Sequence, residues 1–136
     1  MEEIKEIEKV LRLREPIFHN RNLTNSRADV ENETLEDYWE ISASGKYYSR
    51  GFVLDYLEER YNKEPVDASE LENWKVKDFK VEKLAEDVFL ATYLLIGQNS
   101  LNGGRPRTTR RATIWKGNLK TGFKIKYHQG TVVNND

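Results

Sequence analysis

The chain has 136 residues, no cysteine, and a formal net charge of −1 from 22 basic and 23 acidic residues. This length predicts a single domain over residues 1–136, and the balanced charge argues against a nucleic-acid-binding protein. No disulfide or thiolate chemistry is available, the first residues are too charged for a signal peptide, and no apolar run is long enough to cross a membrane, so we expect a soluble cytoplasmic protein.

Three helices are predicted. The first covers residues 2–14, and Pro16 ends or kinks it because proline lacks the N–H that the helix needs. Ser26, followed three residues later by Asp29, indicates the capped start of a short second helix that runs to about Leu35. Ser49 is placed to cap a third helix over about residues 50–62, whose apolar face holds Val53, Leu54, Leu57 and Tyr61.

The strand predictions lie mainly in the second half of the chain. Residues 37–43 and 46–48 form a short hairpin around the turn Ser44–Gly45. The four later strands start near residues 74, 88, 108 and 123. The apolar phase of the first of these slips by one residue, which predicts a β-bulge near Asp78. The strand from Val88 to Ile96 is apolar on both faces, which predicts a central strand covered on both sides.

Helices followed by a series of strands predict an α+β domain. Strands that follow one another through short loops are expected to pair antiparallel. A bulged sheet with a central apolar strand is expected to curve, and the N-terminal helices are the segments available to fill its concave side. The prediction is therefore a curved antiparallel sheet wrapped around N-terminal helices.

Four segments, in this order and spacing, resemble one uncharacterised bacterial family of the nuclear-transport-factor-two-like superfamily. That family is similar to the SnoaL-like polyketide cyclases, and the resemblance covers residues from about Glu3 to Val132. The segments are Arg14–His19, Asp37–Gly45, Thr109–Trp115 and Tyr127–Thr131.

The resemblance implies a cone-shaped cystatin-like roll with a pocket at its open end. The superfamily contains isomerases, cyclases, dehydratases and hydrolases, as well as domains that only bind or dimerise, so the fold alone does not choose a reaction. Its members often pair through the outer face of the sheet, and we therefore expect a homodimer. No cofactor, metal ion, nucleic acid or membrane is expected as a partner.

Glu40 and Arg111 form the charged pair of greatest interest. Each lies within an apolar strand, and a carboxylate buried there needs a partner. If both side chains face the cavity, they could bind a polar ligand, since a guanidinium can hold a carboxylate through two hydrogen bonds. The alternative is a salt bridge on the outer face of the sheet, worth about 0–1 kcal/mol if exposed.

His19 and His128 are the two histidines of the chain. Strict alternation along the last strand places His128 with Lys124 and Lys126, on an exposed face, whereas a bulge before Gly130 would turn it inward. An inward His128 could act as a base or bind a ligand. His19 could cap a backbone carbonyl or line the pocket mouth, and the structural role is the preferred interpretation. The two histidines have no metal-type spacing.

The aromatic residues could supply flat apolar walls for a pocket, although large aromatic side chains also dominate small cores. Those considered for the pocket are Trp39, Tyr48, Tyr93, Trp115 and Tyr127. The basic segment Arg105–Arg111 could meet phosphate, but strand alternation separates Arg110 from Arg111, and two arginines on opposite faces do not make one patch.

Three functions follow as hypotheses. The first is a small-molecule-binding domain for a hydrophobic or polar organic ligand, without catalysis. The second is an isomerase, cyclase or hydrolase acting on a hydrophobic small molecule, with Glu40 or His128 as the catalytic group. The third is a dimerisation module. Ligand-binding candidates are Trp39, Glu40, Tyr48, Tyr93, Arg111, Trp115, Tyr127 and His128.

Overall fold

A computed structural model describes residues 2–16, 23–63, 74–97 and 107–133. Within these ranges the chain is an α+β structure, as predicted, with three helices and six strands. None of these helices is long and apolar enough to cross a membrane. In chain order the elements are α1 (Glu2–Arg12), α2 (Arg27–Glu33), β1 (Thr34–Ile41), β2 (Tyr47–Ser49), α3 (Arg50–Lys63), β3 (Trp74–Ala85), β4 (Val88–Gly97), β5 (Arg107–Asn118) and β6 (Gly122–Val132).

Serine side chains start two of the helices. The Ser26 hydroxyl accepts a hydrogen bond from the Asp29 N–H and caps α2. The Ser49 hydroxyl accepts from the Phe52 N–H at 3.3 Å and caps α3. Such caps satisfy backbone donors that have no partner within the helix. Both predicted helix starts are confirmed.

The six strands form one curved, open sheet in the order β2-β1-β6-β5-β4-β3. The run from β3 to β6 is antiparallel throughout, as predicted. One pair departs from the predicted antiparallel sheet, because β1 and β6 lie side by side in parallel. These two strands are far apart in the chain, and no tight turn between them imposes an antiparallel direction.

Side chains alternate along β4 between an inner face of the sheet, which packs on the helices, and an outer face. Phe89, Ala91, Tyr93 and Leu95 are buried on the inner face. They join residues of all three helices in one hydrophobic core. The residues between them on the outer face, such as Leu94, are only half-buried. This strand was predicted to be covered on both faces, but only its inner face is fully covered.

Among the described residues, the strand pairings shift register at four places, and two of these shifts bear on the sequence predictions. The pairing of β3 with β4 shifts between Lys77 and Lys80, and Asp78 has a positive φ of 56°, which confirms the predicted bulge. The second shift lies in β6 opposite Ile114 and Trp115, where Lys126 is the extra residue. This bulge turns His128 inward, so its exposure, expected from strict alternation, is wrong.

Candidate functional site

A cavity of about 410 Å³ opens between α3, the β1–β2 hairpin and the inner face of the sheet. Its floor is polar and comes from Glu15, just after α1, and from four strands. Its mouth is largely aromatic and comes from β2 and α3. The floor residues are Glu15, Glu40, Tyr93, Arg111 and His128, and the mouth residues include Tyr48, Phe52, Tyr56 and Arg60.

Strand register brings the polar floor together. Glu40 of β1 pairs with His128 of β6, and His128 also pairs with Thr113 of β5. Arg111 of β5 pairs with Tyr93 of β4 on one side and with Gly130 of β6 on the other. Because directly paired residues point to the same face of a sheet, these side chains converge on the inner face.

Both ring nitrogens of His128 have hydrogen-bond partners. Nε2 lies 3.1 Å from Nη1 of Arg111, and Nδ1 lies 2.7 Å from Oγ1 of Thr113. Burial lowers the pKa of this imidazole to about 3, and the positive charge of Arg111 acts in the same direction. His128 is therefore neutral near physiological pH.

Glu15 is a buried carboxyl group in the floor, with 6% of its surface exposed. The Thr113 hydroxyl donates a hydrogen bond to its Oε2 at 2.9 Å. Burial raises the pKa of Glu15 to about 7, against the lowering effects of Tyr93, Thr113 and Arg111. The Tyr93 hydroxyl faces this carboxyl, but its geometry falls short of a hydrogen bond. Glu15 can therefore exchange a proton near neutral pH.

Glu40 is a second carboxyl group in the same cavity. Its Oε1 accepts a hydrogen bond from the Tyr38 hydroxyl at 2.8 Å. Burial raises the pKa of Glu40, while Tyr38 and the charge of Arg111 lower it. The charge effect of Arg111 on the Glu40 pKa is consistent with the predicted proximity of these two residues. Both side chains line the cavity.

Three nearly parallel rings form one side of the mouth. The Tyr48 and Phe52 rings stack with centroids 4.5 Å apart and planes 5° apart, and the Phe52 and Tyr56 rings follow at 6.4 Å and 10°. Phe52 is 50% exposed and Tyr56 is 56% exposed. This side of the mouth therefore presents apolar surface to whatever enters the cavity.

Solved structures share this arrangement of helices and sheet over nearly the whole chain. An NTF2-like protein of unknown function in nutrient uptake from Rhodospirillum rubrum is 19% identical, with a TM-score of 0.64 over 96% of this chain and 98% of that one. An uncharacterised protein with a cystatin-like fold from Caulobacter vibrioides is 13% identical, with a TM-score of 0.66 over 100% and 93%. The chain has the nuclear-transport-factor-two-like fold.

A third neighbour is a protein of Parabacteroides distasonis named as a proposed ketosteroid isomerase. It is 12% identical, with a TM-score of 0.63 over 92% of this chain and 86% of that one. No family model and no curated protein matches the chain. Identities this low show the fold and leave the reaction open.

Within this NTF2-like fold, five of the eight predicted ligand-binding residues line the cavity: Glu40, Tyr48, Tyr93, Arg111 and His128. The other three lie elsewhere. Trp115 is fully buried, with the Arg14 guanidinium 4.6 Å from its ring centroid. Trp39 and Tyr127 pack together on the outer face, with ring centroids 4.4 Å apart. His19 lies outside the described residues.

Glu15, Thr113 and Tyr38 were not predicted as site residues. Thr113 shares its strand face with Arg111, and that alternation was the available signal for it. Glu15 carries a weaker signal, since it is a charged residue directly before Pro16. No cluster of metal-binding side chains is found in the described part of the chain.

The pH dependence of stability tests the raised pKa of Glu15. A carboxyl with a folded-state pKa of about 7, against the usual 4.5, stabilises the fold fully below pH 4.5 and loses that contribution as the pH rises through 7. The free energy of unfolding of Glu15→Gln, minus that of wild type, should therefore increase by on the order of 3 kcal/mol between pH 4.5 and 7. Urea unfolding at each pH measures both free energies.

His128 makes an opposing contribution to the pH dependence of the free energy of unfolding, and this contribution cancels in the difference between wild type and Glu15→Gln. That contribution is present above pH 6.5 and is lost as the pH falls toward 3, and it is common to both proteins. Glu36→Gln, a change at an exposed carboxyl of β1, is the matched control and should follow wild type. Parallel curves for wild type and Glu15→Gln would refute the assignment.

Proposed function

We propose that this protein is a small-molecule-binding domain whose ligand enters the cavity. The observation that carries the proposal is a cavity of about 410 Å³ with a polar floor beneath an aromatic mouth. Pockets for organic ligands typically measure about 300–1,000 Å³ and combine apolar walls with a few polar groups. The occupant proposed is an organic molecule with an apolar body and one polar or acidic end.

Arg111 is the group proposed to receive the polar end. Its guanidinium lines the cavity, Nε donates to Oγ1 of Thr109 at 3.0 Å, and Nη1 contacts His128. A side chain supported at two points is already oriented and loses less conformational freedom on binding. The apolar body would lie against the stacked rings of Tyr48 and Phe52.

A thermal-shift series of small acids tests this proposal. Benzoate, phenylacetate and hexanoate should raise the melting temperature more than their primary amides do, because a guanidinium binds a carboxylate through charge-assisted hydrogen bonds. Arg111→Met should weaken binding of the acids about 10- to 100-fold, since hydrogen bonds to charged groups contribute roughly 1.5–3 kcal/mol.

Arg110→Met is the matched control for that series. Arg110 is the neighbouring residue of β5 and is exposed, so binding should remain at the wild-type level. Acids that stabilise wild type and Arg111→Met equally would rule out Arg111 as the recognition group. If none of the acids or amides changes the melting temperature, the cavity does not bind this class of molecule.

An acid–base enzyme is the second candidate, and the observation favouring it is Glu40. This carboxylate lines the cavity, is oriented by Tyr38, and has a raised pKa. A base of this kind can remove a proton from carbon next to a carbonyl group. His128 is less suited to this role, because Arg111 occupies its Nε2.

Deuterium exchange at the carbon beside the carbonyl of 2-tetralone, followed by NMR, tests the enzymatic proposal. Wild type should accelerate the exchange, and Glu40→Gln should reduce the rate about 10²- to 10⁴-fold, the usual contribution of a positioned base. Glu36→Gln, on the same strand but exposed, should retain the wild-type rate. A rate unchanged by Glu40→Gln excludes Glu40 as the base.

A homodimer through the outer face of the sheet is also proposed. Half-buried apolar residues follow one another across four neighbouring strands there: Leu90, Leu94, Ile114, Tyr127 and Trp39. A continuous apolar surface of this kind favours an interface, and a second copy of the sheet could pack face to face on it about a two-fold axis.

Light scattering coupled to size exclusion tests the dimer. Wild type should have twice the chain mass of 16.0 kDa, and Ile114→Lys should have the monomer mass, since it places a charge at the centre of the apolar face. Leu84→Lys is the control, because Leu84 is 49% exposed near the end of β3. A monomeric wild type at about 100 μM, a concentration at which specific dimers normally form, contradicts the proposal.

A cytoplasmic location is proposed from composition. The sequence contains no cysteine, and proteins that fold in reducing compartments do not depend on disulfides. A soluble organic ligand from metabolism would be accessible there.

A further inference from the structure

A row of four hydrogen-bonding side chains runs from the cavity into the core, and we call it the donor chain. It consists of Arg111, His128, Thr113 and Glu15. The links are 3.1 Å from Arg111 Nη1 to His128 Nε2, 2.7 Å from His128 Nδ1 to Thr113 Oγ1, and 2.9 Å from Thr113 Oγ1 to Glu15 Oε2. These hydrogen bonds join the residue Glu15, which follows α1, to β5 and β6.

The donor chain can run in only one direction. A guanidinium carries donors and no acceptor, so Nε2 of His128 must accept from Arg111. The neutral ring then carries its proton on Nδ1 and donates to Thr113. A hydroxyl has one proton, and Thr113 is left to donate it to Oε2 of Glu15, which completes the chain.

Burial makes the alternative tautomer costly. Thr113 has no exposed surface and Glu15 has 6%. If His128 carried its proton on Nε2, two N–H groups would face each other at the Arg111 contact. A buried donor left without an acceptor costs about 1–3 kcal/mol. The low pKa of His128 agrees with a ring kept neutral in this position.

We propose that Glu15 and Thr113 are positioning residues that hold His128 as its neutral Nδ1–H tautomer and thereby fix the orientation of Arg111 toward the cavity. Neither residue needs to contact the ligand for this role. The role in recognition rests on the proposed function, in which Arg111 receives the polar end of the ligand. The tautomer itself does not depend on any ligand.

Nitrogen NMR of the imidazole ring tests the proposal directly. The sequence has two histidines, so the His19→Asn background leaves the His128 ring as the single imidazole signal. In that background His128 should carry its proton on Nδ1 and show no titration between pH 8 and 5. A proton on Nε2, or a titration midpoint near 6.5, overturns the proposal without any further variant.

Two matched pairs of variants then separate positioning from packing. Thr113→Ser keeps the hydroxyl and should retain the single tautomer, whereas Thr113→Val should give a mixture of tautomers. Glu15→Gln keeps an acceptor oxygen and should behave as wild type, whereas Glu15→Met should behave as Thr113→Val. A single Nδ1–H tautomer in folded Thr113→Val and Glu15→Met would show that Arg111 alone sets the ring, and would refute the role of the two residues.

Benzoate titration separates this proposal from the proposed function. Thr113→Val and Glu15→Met should weaken benzoate binding about tenfold, and Thr113→Ser should remain within about twofold of wild type, as expected for loss of about one hydrogen bond. If wild type binds no benzoate while the NMR result holds, the proposed ligand class is wrong, and the assignment of Glu15 and Thr113 as positioning residues in the donor chain is retained. If benzoate binds equally to all variants, positioning fails and the cavity remains a binding site.

Discussion

The contact between the Arg111 guanidinium and Nε2 of His128 is the interaction on which the polar cavity depends. A guanidinium can only donate, so this contact gives the chain of hydrogen bonds its direction, and Thr113 and Glu15 complete that chain behind His128. A charged group placed at the cavity floor thus orders three neutral or weakly ionised groups behind it.

Glu15 and Glu40 differ in how deeply they are buried, and this difference affects their pKa values. Glu15 is enclosed within the floor, so its pKa rises to about 7. Glu40 lies nearer the open side with Tyr38 as its donor, and its pKa is raised against the lowering effects of Tyr38 and Arg111. The same residue type therefore serves in two ways, as the end of a hydrogen-bond chain and as an accessible carboxylate.

Local patterns in the sequence were sufficient for most of the fold. Serine caps predicted the starts of α2 and α3, and the phase slip predicted the bulge near Asp78. The parallel pairing of β1 with β6 could not be predicted, because it depends on a contact between distant segments. Arg111 was placed correctly on the face opposite Arg110, since alternation holds along β5.

The site was harder to predict because it is assembled from distant positions. Glu15 and Thr113 are 98 residues apart in the chain, and no local pattern connects them. Aromatic residues gave a mixed result for a physical reason. Large rings suit a core, a sheet surface and a pocket equally well. Strand register separates Tyr48 and Tyr93 from Trp39 and Tyr127, whereas Trp115 shares the inner face and is buried in the core.

The bulge at Lys126 has a consequence for how this domain can vary. Because Lys126 is held as an extra residue, the chemistry of the cavity depends on this bulge as well as on the residue types of β6. Removal of Lys126 would leave a regular strand with the same two surfaces. Pairing of Lys126 opposite Ile114, without a bulge, would instead exchange the two surfaces of the segment that follows. The imidazole would move to the convex side and the Tyr127 phenol ring into the hollow, with every remaining side chain unaltered. Homologues with a strand of the same length but no bulge would therefore carry a different cavity floor, however similar their sequences are elsewhere.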